Sequence, residues 1–267
     1  MIAALAAVLF AAAPVPFPER PPVEAWAGED WSSDALAAVS KLPATKLGLT
    51  LQSNMIRPEA AAVLKQSPGS AVRLKPSGLV QAHVDMLHRL PQTTLVLPLA
   101  GPLEPALAEQ LSKLGPQPLR LELHALLDSK TARSLAGLKN AEVVLDVGGR
   151  MPDQEELGLF LGLSRVKRVV RLRADDPPAL VAALKTVRPS RLVVWAIEGA
   201  RVGEAMLAAL ADANLPVRVA VDLRANADDL RRLAALPQIS LELTLSKDSD
   251  TALPKARSLL DPLVSGP

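Results

Sequence analysis

Through Pro216–Asn226, PVRVAVDLRAN, apolar and polar residues alternate. Val217, Val219, Val221 and Leu223 fall on one side of a strand, and Arg218, Ala220, Asp222 and Arg224 on the other. A segment with helical spacing follows, and then the pattern returns. The central aliphatic residues of the successive strands are Leu49, Leu74, Leu97, Leu121, Leu145, Val170, Val194, Val219 and Leu243, each 23 to 25 residues after the last. Nine units with so little scatter form an internal repeat of about 24 residues. A weaker tenth copy lies upstream, at Val23–Ala27, before the helix-like Ser33–Lys41.

Each unit has the same punctuation. After the strand comes a helix-capping residue, as at Asn54, Ser77, Asp128, Asp175, Asn226 and Asp248. About ten residues follow with leucine and alanine at helical spacing, as in Leu230, Leu233 and Leu236. Pro91, Gly115, Asn140 and Pro237 end such segments. Strand–helix–strand units of this length predict parallel strands with right-handed crossovers. Most strands have a single apolar face: Leu119, Leu121 and Leu123 oppose Arg120, Glu122 and His124, and Val170 and Leu172 oppose Arg171 and Arg173. Strands covered on both faces read as continuous aliphatic runs, so the helices are expected on one face only. Three buried aliphatics per strand contribute roughly 5–8 kcal/mol gross per unit before chain entropy is subtracted.

Two α/β architectures place every helix on one side of a parallel sheet of nine or ten repeats: an open horseshoe and a closed TIM-like β/α barrel. Three features favour the horseshoe. There are nine or ten strands where the common barrel has eight. The strand-to-helix loops are uniformly short, whereas catalytic barrels vary theirs. The polar face carries Arg73, Lys75, Arg120, Glu122, Asp146, Arg171, Arg173, Arg218, Asp222 and Glu242. Burying such charges without partners costs several kcal/mol each, in roughly the range known for buried ions. Against the horseshoe, Val193, Trp195 and Ile197 would be exposed, and a barrel offers Glu242 a partner in Arg73 or Lys75 across a closing seam.

Leu49-Thr-Leu51-Gln-Ser-Asn54 and Val221-Asp-Leu223-Arg-Ala-Asn226 match an LxLxxN pattern, and Leu135-Ala-Gly-Leu138 and Leu233-Ala-Ala-Leu236 an LxxL pattern. In these motifs residues 42–250 resemble the leucine-rich-repeat proteins. The resemblance implies a curved right-handed solenoid that binds partners through its concave sheet. The family's first strand leucine falls on Lys46 or Arg218 here, and Pro102, Leu126, Arg150 or Gly199 stands where the family has its ladder asparagine.

Composition narrows the function. The 267 residues are 49% hydrophobic and 22% charged, a globular composition with a core to bury. Lys and Arg number 30 against 28 Asp and Glu, a balance that argues against a general nucleic-acid binder. There is no Tyr and no Cys, and only three Trp and three Phe. Aromatic stacking platforms are therefore scarce, and disulfides, thiolate metal sites and a Cys nucleophile are excluded. Met1–Ala13, MIAALAAVLFAAA, resembles the apolar region and cleavage site of a secretory signal peptide, although no Lys or Arg precedes it. It is too short to span a bilayer, which takes about 20 residues. A buried N-terminal helix is the alternative. Residues 14–22 form a Pro-rich tether, and residues 23–267 are expected to form one β/α repeat domain.

Candidate chemistry sits on the polar face. Glu122 and His124 share one strand and Asp146 lies on the next, a trio suited to acid–base work or to a solvated ion-pair face. Glu198, in WAIEG, with Asp146 and Asp222, would ring the catalytic mouth of a barrel. His83 and His88 lack the i, i+4 spacing of a helical metal pair, and Asp146-Val-Gly-Gly-Arg150 lacks that of a phosphate loop. In the basic run Arg165–Arg173, Arg171 and Arg173 share the polar face, where with Arg120 and Arg218 they suit an anionic partner. Trp195 in a horseshoe is an exposed anchor rimmed by Arg173 and Arg218; in a barrel it fills the lumen. The favoured reading is an exported, non-catalytic scaffold. It would bind a protein or polymer through Trp195, Arg120, Glu122, His124, Arg171, Arg173 and Arg218, with no cofactor, metal, nucleic acid or stable membrane span. The alternative is a compact barrel hydrolase using Glu198, Asp146 and Asp222.

Overall fold

The computed structural model describes residues 21–264, apart from residues 54, 75–84, 86, 91, 150, 151 and 199. The leader, most of the tether, Asn54, Lys75, Ser77, His83, Pro91, Arg150 and Gly199 lie outside the described residues.

Ten parallel strands form the sheet: β1 Val23–Gly28, β2 Thr45–Thr50, β3 Ala71–Arg73, β4 Thr94–Leu99, β5 Leu119–Leu123, β6 Ala141–Asp146, β7 Lys167–Arg173, β8 Arg191–Ala196, β9 Val217–Asp222 and β10 Ile239–Thr244. Every aliphatic centre read from the repeat falls in its strand, except Leu74, which follows β3 directly. The connecting helices obey the local signals. Asp128 accepts from the Thr131 amide and Asn226 from the Asp229 amide, capping the helices Ser129–Ala136 and Ala227–Ala234. Ala44, Asn140 and Gln238 adopt left-handed backbone immediately before β2, β6 and β10, so the same turn feeds different strands.

The horseshoe expectation is overturned. The sheet closes in the order β1-β10-β9-β8-β7-β6-β5-β4-β3-β2 and back to β1. The weak upstream copy supplies the closing strand: Val23 pairs with Thr45 of β2 on one side and with Leu241 of β10 on the other. Leu241 N donates to Pro22 O at 2.9 Å, and Leu245 N donates to Trp26 O at 2.9 Å, sealing the seam along its length. The chain is therefore a closed ten-stranded β/α barrel and not a leucine-rich-repeat solenoid. The concave face that a horseshoe would leave open becomes the barrel's interior.

The one-sided helix layer holds, and it packs outside. Leu121, Val143, Leu145, Val170, Leu172, Val194 and Val219 are buried in one continuous core with helix residues such as Leu135, Phe160, Leu210 and Leu230. The polar face lines the lumen. The charge argument against a barrel assumed that those side chains lack partners, and here Arg73, Arg120, Glu122, Asp146, Arg171, Arg218, Asp222 and Glu242 have them. Barrel diameter grows with strand number. Ten strands enclose more width than small aliphatic side chains fill, and long Arg and Glu side chains reach across it. Two small apolar clusters, Trp26 with Ala71 and Val96, and Val144 with Val169 and Val193, complete the lumen. Gly48 makes room for the first: a Cβ there would come within 2.5 Å of the Trp26 ring. Among the described residues no helix is long and apolar enough to cross a membrane.

Candidate functional site

The lumen holds a charge network that joins strands distant in sequence. Arg73 donates through Nη2 to Glu122 at 3.2 Å and to Glu242 at 2.9 Å. Arg171 Nη2 lies 2.9 Å from the same Glu122 oxygen. Arg120 donates to Glu24 at 3.0 Å, and its Nε lies 3.1 Å from Glu142. Arg218 and Arg191 reach Glu142 at 3.5 and 3.4 Å. Four carboxylates, Glu24, Glu122, Glu142 and Glu242, thus face the guanidinium groups of Arg73, Arg120, Arg171 and Arg218. Burial alone raises the Glu122 carboxyl, but Arg73, Arg171 and Arg120 more than offset it and hold it at about 2. For Glu24, burial is likewise outweighed by Arg120, Arg218 and Arg73, and its pKa falls. Burial lowers Arg73 and Arg120 less than their carboxylate partners raise them. Glu24, Glu122, Arg73 and Arg120 are therefore held charged through the neutral range, which suits cohesion and not proton transfer.

This places four of the sequence-derived contact residues inside the protein. Arg120, Glu122, Arg171 and Arg218 are 6%, 3%, 4% and 8% exposed, so none presents a surface to a polymer. The other three stand at the mouth where the strands end. His124 follows β5, its amide donating to Leu99 O at 3.0 Å, and its side chain is 40% exposed. Its Nδ1 lies 3.3 Å from Asp146 Oδ2. Asp146 is fixed in turn, because its Oδ1 accepts from the Gly148 amide at 3.0 Å and Arg171 Nη1 lies 3.9 Å from its Oδ2. Burial raises the Asp146 carboxyl, yet the His124 and Gly148 hydrogen bonds and the Arg171 charge bring it below the ordinary Asp range. Trp195 is half-buried on β8, two strands from Asp146, and the Arg171 guanidinium lies over its ring, 4.6 Å from the centroid. Exposed Arg173 lies over the Gly148 backbone.

No protein-family model matches the chain, and no curated protein matches it in sequence. What the site does must come from its own geometry.

The three carboxylates expected at a barrel mouth do not form one group. Asp222 is consumed by its own turn. Its Oδ2 accepts from the Glu198 amide at 2.8 Å and from Arg224 Nη2 at 2.7 Å, and its Oδ1 accepts from the Arg224 amide at 2.8 Å. Glu198 is exposed and left-handed, a backbone state its hydrogen bond to Asp222 helps to hold. Asp146 alone stands beside a proton carrier. The glycine turn after it is no phosphate cradle: the Gly148 amide serves Asp146, and the Gly149 amide donates to Asp176 at 2.9 Å. His88 is exposed on the outside of the barrel chain, and among the described residues no group of three His, Asp or Glu is arranged to hold a metal.

The opposite mouth, where the strands begin, was not anticipated. It opens into a cavity of about 790 Å³ lined by Glu24, Lys46, Arg120, Glu142, Lys167, Arg191 and Arg218, with Arg165 at its side. Lys167 has the same strand parity as Arg171 and Arg173, so the basic run contributes to both mouths. Its parity was readable in the sequence; its neighbours were not.

Proposed function

We propose that this barrel is a hydrolase whose site is the mouth at the strand C-termini, with His124 as the proton carrier and Asp146 as its positioning residue. The observation that supports this is the 3.3 Å approach of His124 Nδ1 to a carboxylate that is itself held by a backbone amide. With Nδ1 engaged, Nε2 is the nitrogen left to face a substrate. The ring takes a proton from water as the water oxygen bonds to an acyl carbon, and then returns that proton to the departing alkoxide. In this reading the pair activates water directly. The half-buried Trp195 and the Arg173 guanidinium form the adjoining wall, suited to a flat or anionic acyl group. The position agrees with the general placement of sites in β/α barrels at the strand C-termini.

The test is hydrolysis of p-nitrophenyl acetate and p-nitrophenyl butyrate by the purified protein. His124→Gln should lower kcat/KM about 100-fold or more, and Asp146→Asn should lower kcat more than it changes KM. His124 is exposed enough for His124→Gln to keep the wild-type melting temperature, whereas Asp146→Asn should cost some stability and is assayed well below its own Tm. Absence of turnover above buffer, or turnover that survives His124→Gln, overturns the proposal.

A further inference from the structure

The chain as a whole is nearly neutral, at +2, yet the cavity at the strand N-termini is strongly basic. Among its described lining residues six are cationic, Lys46, Arg120, Arg165, Lys167, Arg191 and Arg218, and two are carboxylates, Glu24 and Glu142. The excess is four positive charges. Internal pairing uses up the carboxylates without satisfying the cations. Glu24 is taken by Arg120 at 3.0 Å. Glu142 is shared among Arg120, Arg191 and Arg218. Of the two buried cations Arg218 is the more weakly paired: it is 8% exposed, and its Nη1 is 3.5 Å from Glu142, the outer limit of a hydrogen bond. Burial, and then the neighbouring Arg120 charge, push its pKa down despite Glu142, Glu24 and Glu242. Two of the helix C-termini at this end are served by other cations. Arg168 donates to Leu161 O at 3.2 Å and Lys185 to Asp212 O at 2.7 Å.

We propose that the N-terminal mouth of the barrel is a binding site for a small polyanion, one carrying at least two phosphate or carboxylate groups. The cavity is of the size that holds such a molecule. Guanidinium forks on β8 and β9 suit bidentate contact with its anionic oxygens, and Lys46 and Lys167 on the rim add mobile ammonium groups. The plugged lumen separates this site from the His124 mouth, so the two proposals stand or fall independently.

Isothermal titration calorimetry with inorganic pyrophosphate, and separately with citrate, tests it at constant ionic strength. The expected result is saturable one-to-one binding with Kd below about 1 mM for at least one of the two. Pyrophosphate alone identifies a phosphate ligand, citrate alone a carboxylate ligand, and both the shared chemistry. Lys46→Gln and Lys167→Gln, both at exposed positions and so expected to fold, should each weaken binding about tenfold. Lys255→Gln, an exposed change on the last helix, should leave it unchanged. No saturable heat with either probe, or equal affinity in the two rim variants and the wild type, overturns the proposal.

Discussion

Glu122→Gln removes one charge from the middle of the lumen while keeping the size of the side chain. The Glu122 carboxylate is the shared partner of Arg73 and Arg171. Without it Arg73 keeps Glu242 at 2.9 Å, but Arg171 keeps only the Asp146 oxygen at 3.9 Å. A buried guanidinium is then left short of charge. The magnitude follows in two ways. A carboxyl brought from 4.5 to about 2 on folding contributes on the order of 3 kcal/mol at neutral pH. Breaking a buried ion pair by removing one partner costs about 3–5 kcal/mol. We therefore expect a loss of about 3 kcal/mol at pH 7, or roughly 6–12 °C in Tm for a chain of this size. The pH dependence has a definite sign. The folded pKa lies below the unfolded one, so the contribution is complete above about pH 5 and is lost as the pH falls from there toward 2. Urea denaturation of wild type and Glu122→Gln across that range should show two curves about 3 kcal/mol apart at pH 7 that converge near pH 2. Adding Arg171→Met to Glu122→Gln should recover part of the loss, because the orphaned cation goes with it. A difference under about 1 kcal/mol at pH 7, or one that persists undiminished to pH 2, would refute the view that this network holds the lumen together.

Two further outcomes follow from the packing. Gly48→Ala drives a methyl against the Trp26 ring, over which the Arg73 guanidinium also lies, 4.1 Å from the centroid; a destabilisation of about 1–3 kcal/mol in chemical denaturation is expected, and a neutral variant would show the ring to be free to move. Trp26 and Trp31 are 1% and 2% exposed while Trp195 is half-buried at a mouth, so Trp195→Phe should leave a blue-shifted emission that resists acrylamide, and a quenchable residue in that variant would contradict the burial of the other two.

The candidate site was legible only in pieces. His124, Glu122 and Asp146 were visible as neighbours because alternation assigns them one face of adjacent strands. Their division of labour was not visible. Glu122 turns inward to Arg73, a strand pair 49 residues apart, while His124 stays at the rim with Asp146. Asp222 looked equivalent to Asp146 by position, yet Arg224 two residues later ties it down. The basic cavity escaped notice because Lys46, Lys167, Arg191 and Arg218 belong to four separate units, and only closure gathers them around one opening.

What the amino-acid order determined by itself was everything with a short reach. Alternation placed the strands, the single apolar face put the helices on one side, and Asp128 and Asn226 started their helices as capping residues do. Whether the ribbon stays open or joins its ends was decided only in three dimensions. A strand with one greasy and one charged face reads identically in both cases, since period-two patterning records which face is buried against helices and is silent about what lies beyond the other. That answer rests on Val23 meeting Leu241, and on Arg120 meeting Glu24 across 96 residues. Charges that look like a wetted surface when read singly become an interior once each finds its counter-charge on a distant strand.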